Sequence, residues 1–218
     1  MSNVILIAQP RSGGTLAMKV LAKLFNKTPQ YECFNTHGYG FDETKFATAT
    51  DYKLDRINFF KQDTNNVIKA SWFDLKDVVD EIDDLDAEWF HLQRENPVEM
   101  VCSSYLSYLS GVFHETNDED FNPLNDVNVP MEFVDDFFSD YNYGGWYYNL
   151  SKNIELLNSK NFTQLYYDDS MSESDIAMQI TSEINNFNYK TDIIKLYPNK
   201  HKVIKNYADI ETRIRGIL

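Results

Sequence analysis

At 218 residues, with 43% hydrophobic and 15% aromatic content, the chain can bury a core as one domain, 1–218, with a polar insertion at about 114–130. A formal net charge of −14 excludes a general nucleic-acid binder, which carries a basic face. There is no apolar run as long as a membrane span and no basic-then-apolar leader, and Cys33 and Cys102 give neither a disulfide framework nor metal-ligand spacing, so a cytoplasmic protein without membrane or metal is expected.

The first informative stretch is VILIAQPRSGGTLAMKVLAKLF, residues 4–25. Val4, Ile5, Leu6, Ile7 and Ala8 form a short run rich in β-branched residues, as a central parallel strand requires. Pro10 cannot extend a ladder, and Gly13-Gly14 admit backbone angles closed to other residues. From Leu16 the spacing turns helical: Leu16, Val20, Leu21, Leu24 and Phe25 share a face, while Lys19, Lys23 and Lys27 recur on another. A strand feeding a glycine turn at a helix start is a ready anion site. The first helical N–H groups lack an internal partner, and the helix dipole favours negative charge there. The segment Ser12, Gly13, Gly14, Thr15 and Leu16 is expected to cradle the anion, with side-chain donors from Arg11, Ser12 and Thr15. Against the pattern G-x-x-x-x-G-K-[ST], Gly14 stands where the lysine belongs and a cation sits earlier, at Arg11. That exchange argues against ordinary NTP hydrolysis.

Residues 30–35 read as a short second strand, with Glu32 near its carboxyl end, where ligands gather in a parallel α/β sheet. A carboxylate there is a candidate general base; His37, in the following glycine loop, is an alternative, and His114 another. Residues 42–62 read as mainly helical and 66–72 as a third strand, with Trp72 assigned to the core. Residues 74–86 read as a helix with a buried stripe beneath an acidic face. Residues 89–93 read as a further parallel strand, with Arg94 at its carboxyl end. Asn96 as N-cap, Pro97 and Glu99 then open a helix carrying Ser103 and Ser104. Arginine grips phosphate through a bidentate fork and serine adds one oriented donor, while Glu95 beside Arg94 is discordant unless it points away. Residues 131–160 read as a long helical stretch interrupted near 143–146, 161–169 as the last main strand, and 172–187 as a helix opened by Ser172. Lys200, Lys202 and Lys205 precede Asn206-Tyr207 and a terminal helix, so both chain ends are basic on an otherwise acidic protein.

Pro10 to Leu16 resembles the 5′-phosphosulfate loop of sulfotransferases that use 3′-phosphoadenosine 5′-phosphosulfate (PAPS). The Glu32 segment resembles the E-Y-F-type stretch of bacterial carbohydrate and small-molecule sulfotransferases, which implies Glu32 as the base. Arg94 to Ser103 resembles the 3′-phosphate site, which implies that Arg94 with Ser103, or else Ser104, holds that phosphate. The end of the last strand resembles the family's Y-E-D-L, which implies Tyr167 near the adenine; Lys202 or Lys205 would reach the nucleotide phosphates. The resemblance runs from about residue 3 to 113, with weaker echoes near 163–169 and 200–210. It implies an α/β fold of the P-loop NTPase type, a parallel sheet of about four to five strands flanked by helices. It also implies metal-independent transfer of a sulfuryl group from PAPS to a hydroxyl, or less readily an amine, of a small-molecule or carbohydrate acceptor. Arg11 would hold charge on the leaving phosphate. From the residues alone, a P-loop nucleotide or small-molecule kinase and a non-catalytic nucleotide-binding protein stay open.

Overall fold

The computed structural model describes residues 2–36, 41–111, 124–139, 146–181 and 200–218. Five strands, β1 (Asn3–Ala8), β2 (Thr28–Gln30), β3 (Asn66–Ala70), β4 (Ala87–Arg94) and β5 (Phe162–Tyr167), form one parallel sheet in the order β2-β3-β1-β4-β5. The helices in chain order are α1 (Gly14–Phe25), α2 (Ala49–Gln62), α3 (Trp72–Leu75), α4 (Val79–Asp83), α5 (Pro97–Ser110), α6 (Met131–Phe138), α7 (Trp146–Leu157), α8 (Glu173–Met178), α9 (Lys200–Val203) and α10 (Tyr207–Ile217). This is the expected α/β architecture of a parallel sheet flanked by helices.

Every residue of β1 is buried, which accounts for its unbroken apolar run. Its side chains alternate between the two faces. Val4, Leu6 and Ala8 pack with Leu16, Val20 and Leu21 of α1, and with Phe90 and Leu165. Ile5 and Ile7 pack on the other face with Ile57 and Phe60 of α2, Leu75 of α3 and Leu157 of α7. A third cluster joins α5, α6 and α10 through Val101, Leu106, Val134, Ile210 and Ile214.

Several boundaries differ from the sequence reading. The second strand is Thr28–Gln30, not 30–35, and Pro29 lies inside it. A proline is tolerated there because β2 is at the edge of the sheet and needs ladder bonds on one side only. Glu32 therefore follows the strand, with a positive φ of 44°. Residues 74–86 form no single helix: α3 ends at Leu75, and α4 starts at Val79. Leu75, Val78, Ile82 and Leu85 of that stretch are still buried. Ser71 belongs to no strand; it caps α3 in a reciprocal box with Asp74. The helix expected over 42–62 begins only at Ala49, capped by Thr48. Asn96 caps α5 as expected, accepting from the Val98 and Glu99 N–H groups. Ser172 caps α8, which ends at Met178 rather than continuing to 187, and residues 182–187 lie outside the described residues. Of the polar insertion, residues 124–130 are described: Val127 bridges to Ile204, and Val129 exchanges hydrogen bonds with the Asn206 side chain. Among the described residues no helix is long and apolar enough to cross a membrane.

Candidate functional site

β1 and β4 are parallel neighbours, so the turns that leave their carboxyl ends lie side by side. The first turn enters α1 through Gly13, whose φ of 81° is left-handed. A Cβ there would also lie 2.6–2.7 Å from ring atoms of Tyr167, so glycine is required twice over. The N-terminus of α1 has no side-chain cap and no acid in its first turn. The Ala17 N–H is bonded to the Gly13 carbonyl, and the helical N–H groups before it have no carbonyl four residues back within the helix. This end of the helix is suited to an anion.

The flanking side chains divide into braces and donors. Ser12 is fully buried, and both its hydroxyl and its N–H donate to the Gln9 carbonyl, at 2.7 and 3.3 Å. It closes the turn, and its hydroxyl does not face outward as the sequence reading expected. Arg11, at φ 62°, turns its guanidinium onto α5: Nε and Nη2 donate to Ser103 Oγ at 3.1 and 3.0 Å. Thr15 is half-buried and Leu16 packs in the core, so Leu16 can offer the site only its backbone.

Arg94 is only 2% exposed. Its Nη1 donates to the Arg11 carbonyl at 2.9 Å and its Nη2 to Asp169 at 2.5 Å, and its guanidinium carbon lies 5.6 Å from the centre of the Tyr167 ring. Its buried Nε has no hydrogen-bond partner among the described residues. Arg94, Ser103 and the glycine turn thus meet at one place. Ser104 is half-exposed, and Glu95 is exposed to solvent, which removes the discord noted beside Arg94.

Three participants escaped the sequence reading. Asp169, just beyond β5, accepts from both Arg94 and Lys200, each at 2.5 Å. Lys200, 5% exposed, also lies 3.1 Å from Glu99, which accepts from the Tyr207 hydroxyl at 2.7 Å. Lys202, the expected phosphate ligand, is exposed instead, and Lys205 pairs at 3.7 Å with Asp126 at the surface. Positions 200 and 202 of α9 are about 200° apart around the helix, so only one of them can face the site. The third participant is Lys69 of β3. Its stem lies 3.1 Å from the position of a Cβ on Gly14, and its Nζ donates to Glu32 at 3.1 Å. Glu32 also accepts from the Asn35 amide at 3.1 Å. Lys69 therefore ties the candidate base to the glycine turn. His37 and His114 lie outside the described residues.

Burial works against the charge of Asp169, but Arg94 and Lys200 outweigh it and hold the carboxyl below its ordinary range. A depressed carboxyl pKa contributes stability that is present above the unfolded value, about 4, and lost as pH falls through the folded one. Urea midpoints should therefore fall below about pH 4 more steeply in the parent than in Asp169→Asn. Identical acid limbs would show that the carboxylate is not held in this way. Burial also pushes the Cys33 and Cys102 thiols up to about 12, so neither is a nucleophile near neutral pH.

No family model and no curated protein sequence matches the chain. Among solved structures, one that it resembles is the crystal structure of mouse sulfotransferase SULT7A1 complexed with PAP. The two are 14% identical, and the match covers 99% of this chain and 81% of that one at a TM-score of 0.49. A likeness at that level carries no assignment of activity.

Proposed function

We propose that the chain is a transferase that moves a sulfuryl group from PAPS to a hydroxyl of a small-molecule or carbohydrate acceptor, releasing adenosine 3′,5′-bisphosphate. The observation that carries this reading is the contact between two strand-to-helix junctions: Arg94 bonds the Arg11 carbonyl, and Arg11 bonds Ser103. The 3′ and 5′ positions of one ribose are close neighbours, so adjoining anion sites suit a nucleoside phosphorylated at both. Gly13, Gly14, Thr15 and Leu16 offer backbone N–H groups to the 5′ side. Arg94 and Ser103 serve the 3′ side, where an arriving phosphate shares or displaces Asp169.

PAPS, when bound, supplies an electrophilic sulfur whose bond to the 5′-phosphate oxygen breaks as the acceptor oxygen attaches. Glu32 takes the proton from that acceptor hydroxyl. Lys69, with the N-terminus of α1, stabilises the charge that collects on the 5′-phosphate, and the Arg11 guanidinium, held on Ser103, serves the 3′ side. Preorganised donors of this kind need no further cofactor, as in phosphoryl transfer, where positioning and electrostatics dominate. A kinase reading is disfavoured by Gly14 at the lysine position.

Transfer from radiolabelled PAPS to an acceptor panel in EDTA tests the proposal. Glu32→Gln should lower turnover by about a hundredfold, the usual scale of a general base, without weakening donor affinity, since it releases Lys69. Turnover equal to the parent's would move the base elsewhere, and the absence of transfer to any acceptor would refute the reaction.

A further inference from the structure

The cluster around Arg94 holds two unmet hydrogen-bonding groups of opposite sense. Arg94 Nη2 is spent on Asp169. Its Nε, which with Nη2 forms one edge of the planar guanidinium fork, is buried without a hydrogen-bond partner among the described residues. Glu99 stands next to that edge. Its Oε1 takes the Tyr207 hydroxyl, while its Oε2 lies 3.7 Å from Arg94 Nη2 and 3.1 Å from Lys200 Nζ. That Oε2 is buried and accepts no hydrogen bond among the described residues. One donor and one acceptor are thus left over at the same place, and a buried group of either kind is costly to leave unmet. The formal charges already cancel: Arg94 and Lys200 stand against Asp169 and Glu99, and the Lys200 ammonium is shared by both carboxylates.

An incoming anion must therefore bring an acceptor for Arg94 Nε and a donor for Glu99 Oε2. A phosphate monoester dianion has acceptors only and would lie against two carboxylates; the monoanion has both a P–O⁻ and a P–OH. We propose that this site selects the monoanion, binding the 3′-phosphate of the donor with its P–OH donated to Glu99. That the group is a 3′-phosphate rests on the transfer reading above; that it is held protonated rests on these side chains. Phosphate monoesters in water lose their second proton at about pH 6, so binding above that pH takes one up from solvent. The other groups facing the site do not supply it. Burial pushes the Cys102 thiol up to about 12 and the Tyr167 and Tyr207 hydroxyls above their ordinary range, while Arg94 and Lys200 hold Asp169 ionised. Asp168 turns to Ser170, the Arg11 guanidinium to Ser103 and Glu95 to solvent. His201 is exposed and meets the Tyr207 ring with centres 6.3 Å apart, so it needs its own control.

Calorimetry of the full chain with adenosine 3′,5′-bisphosphate, in HEPES and in Tris, counts the protons through the dependence of the binding heat on the buffer's own heat of ionisation. The parent should take up about one proton per ligand bound at about pH 7.5, and its affinity should fall about tenfold per pH unit between about pH 7 and 8. With 5′-AMP, whose phosphate meets backbone N–H groups at the start of α1, both effects should be absent. Glu99→Gln offers an amide that tolerates the dianion, so it should lose most of the uptake and flatten the pH slope; His201→Asn should change neither. Phosphorus NMR of the parent complex at the same pH needs no variant: the bound 3′ resonance should lie at the shift of a monoanion, and that of the free ligand at the dianion shift. Binding without proton uptake, the same uptake with 5′-AMP or in Glu99→Gln, uptake lost in His201→Asn, or a bound 3′ resonance at the dianion shift overturns the inference and leaves the transfer reading standing. Proton uptake through Glu99 with no transfer to any acceptor upholds the inference and overturns only the reaction. No binding of the bisphosphate overturns both.

Discussion

Replacing Gly13 with alanine lowers the free energy of unfolding by about 3 kcal/mol and removes anion binding at the turn. The backbone is left-handed at this position, and alanine there costs about 1 kcal/mol by itself. The larger part is steric, since the new methyl meets the Tyr167 ring at 2.6–2.7 Å. That ring cannot retreat freely, because it is 5% exposed, lies under the Arg94 guanidinium and donates its hydroxyl to Asp169 at 3.3 Å. The double variant Gly13→Ala/Tyr167→Leu relieves the clash but not the backbone strain, so it should be less destabilised than the sum of its single changes. A Gly13→Ala protein that unfolds within about 0.5 kcal/mol of the parent would show that the turn is not built this way.

Arg94→Ala should cost about 3 kcal/mol, the scale for removing one member of a buried ion pair. Lys200 remains beside Asp169, which keeps the loss toward the lower end of that range. The Arg11 carbonyl also loses its donor, so the damage spreads to the glycine turn. Binding separates this structural role from recognition. Affinity for adenosine 3′,5′-bisphosphate should fall by about a hundredfold, and that for 5′-AMP by about threefold, a gap that fits one charge-assisted contact to phosphate. Asp169→Asn supplies the converse: it frees the arginine from a competing carboxylate and should tighten the doubly phosphorylated ligand. Equal losses for the two nucleotides in Arg94→Ala would leave Arg94 a structural role only.

The order of these elements was legible in the sequence wherever the signal is local. The strand, glycine turn and helix from Val4 to Phe25 follow from an apolar run, two adjacent glycines and a change of period. The Asn96-Pro97 start of α5 was equally plain. Pairing across the sheet was not. Arg94 meets Asp169 because β4 and β5 are neighbours with Arg94 in register with Tyr167, and a strand order cannot be read from any one segment. Lys69 gave a signal that went unread: a lysine inside an apolar strand, where a charge needs a partner to be kept. Among the tail lysines, composition marked the region, but the phase of α9 decides that Lys200 rather than Lys202 turns inward. Pro29 hides β2 from a local reading, because proline is a strand breaker everywhere but at an edge, and the edge position shows only in the assembled sheet.

Calorimetry on the parent protein, with adenosine 3′,5′-bisphosphate, 5′-AMP and ATP in turn, each with EDTA and with excess magnesium, goes most directly to whether one nucleotide joins the two junctions. If it does, the bisphosphate binds without metal and at least about tenfold more tightly than either of the others. A preference for magnesium-ATP, or equal affinity for the bisphosphate and 5′-AMP, would contradict it.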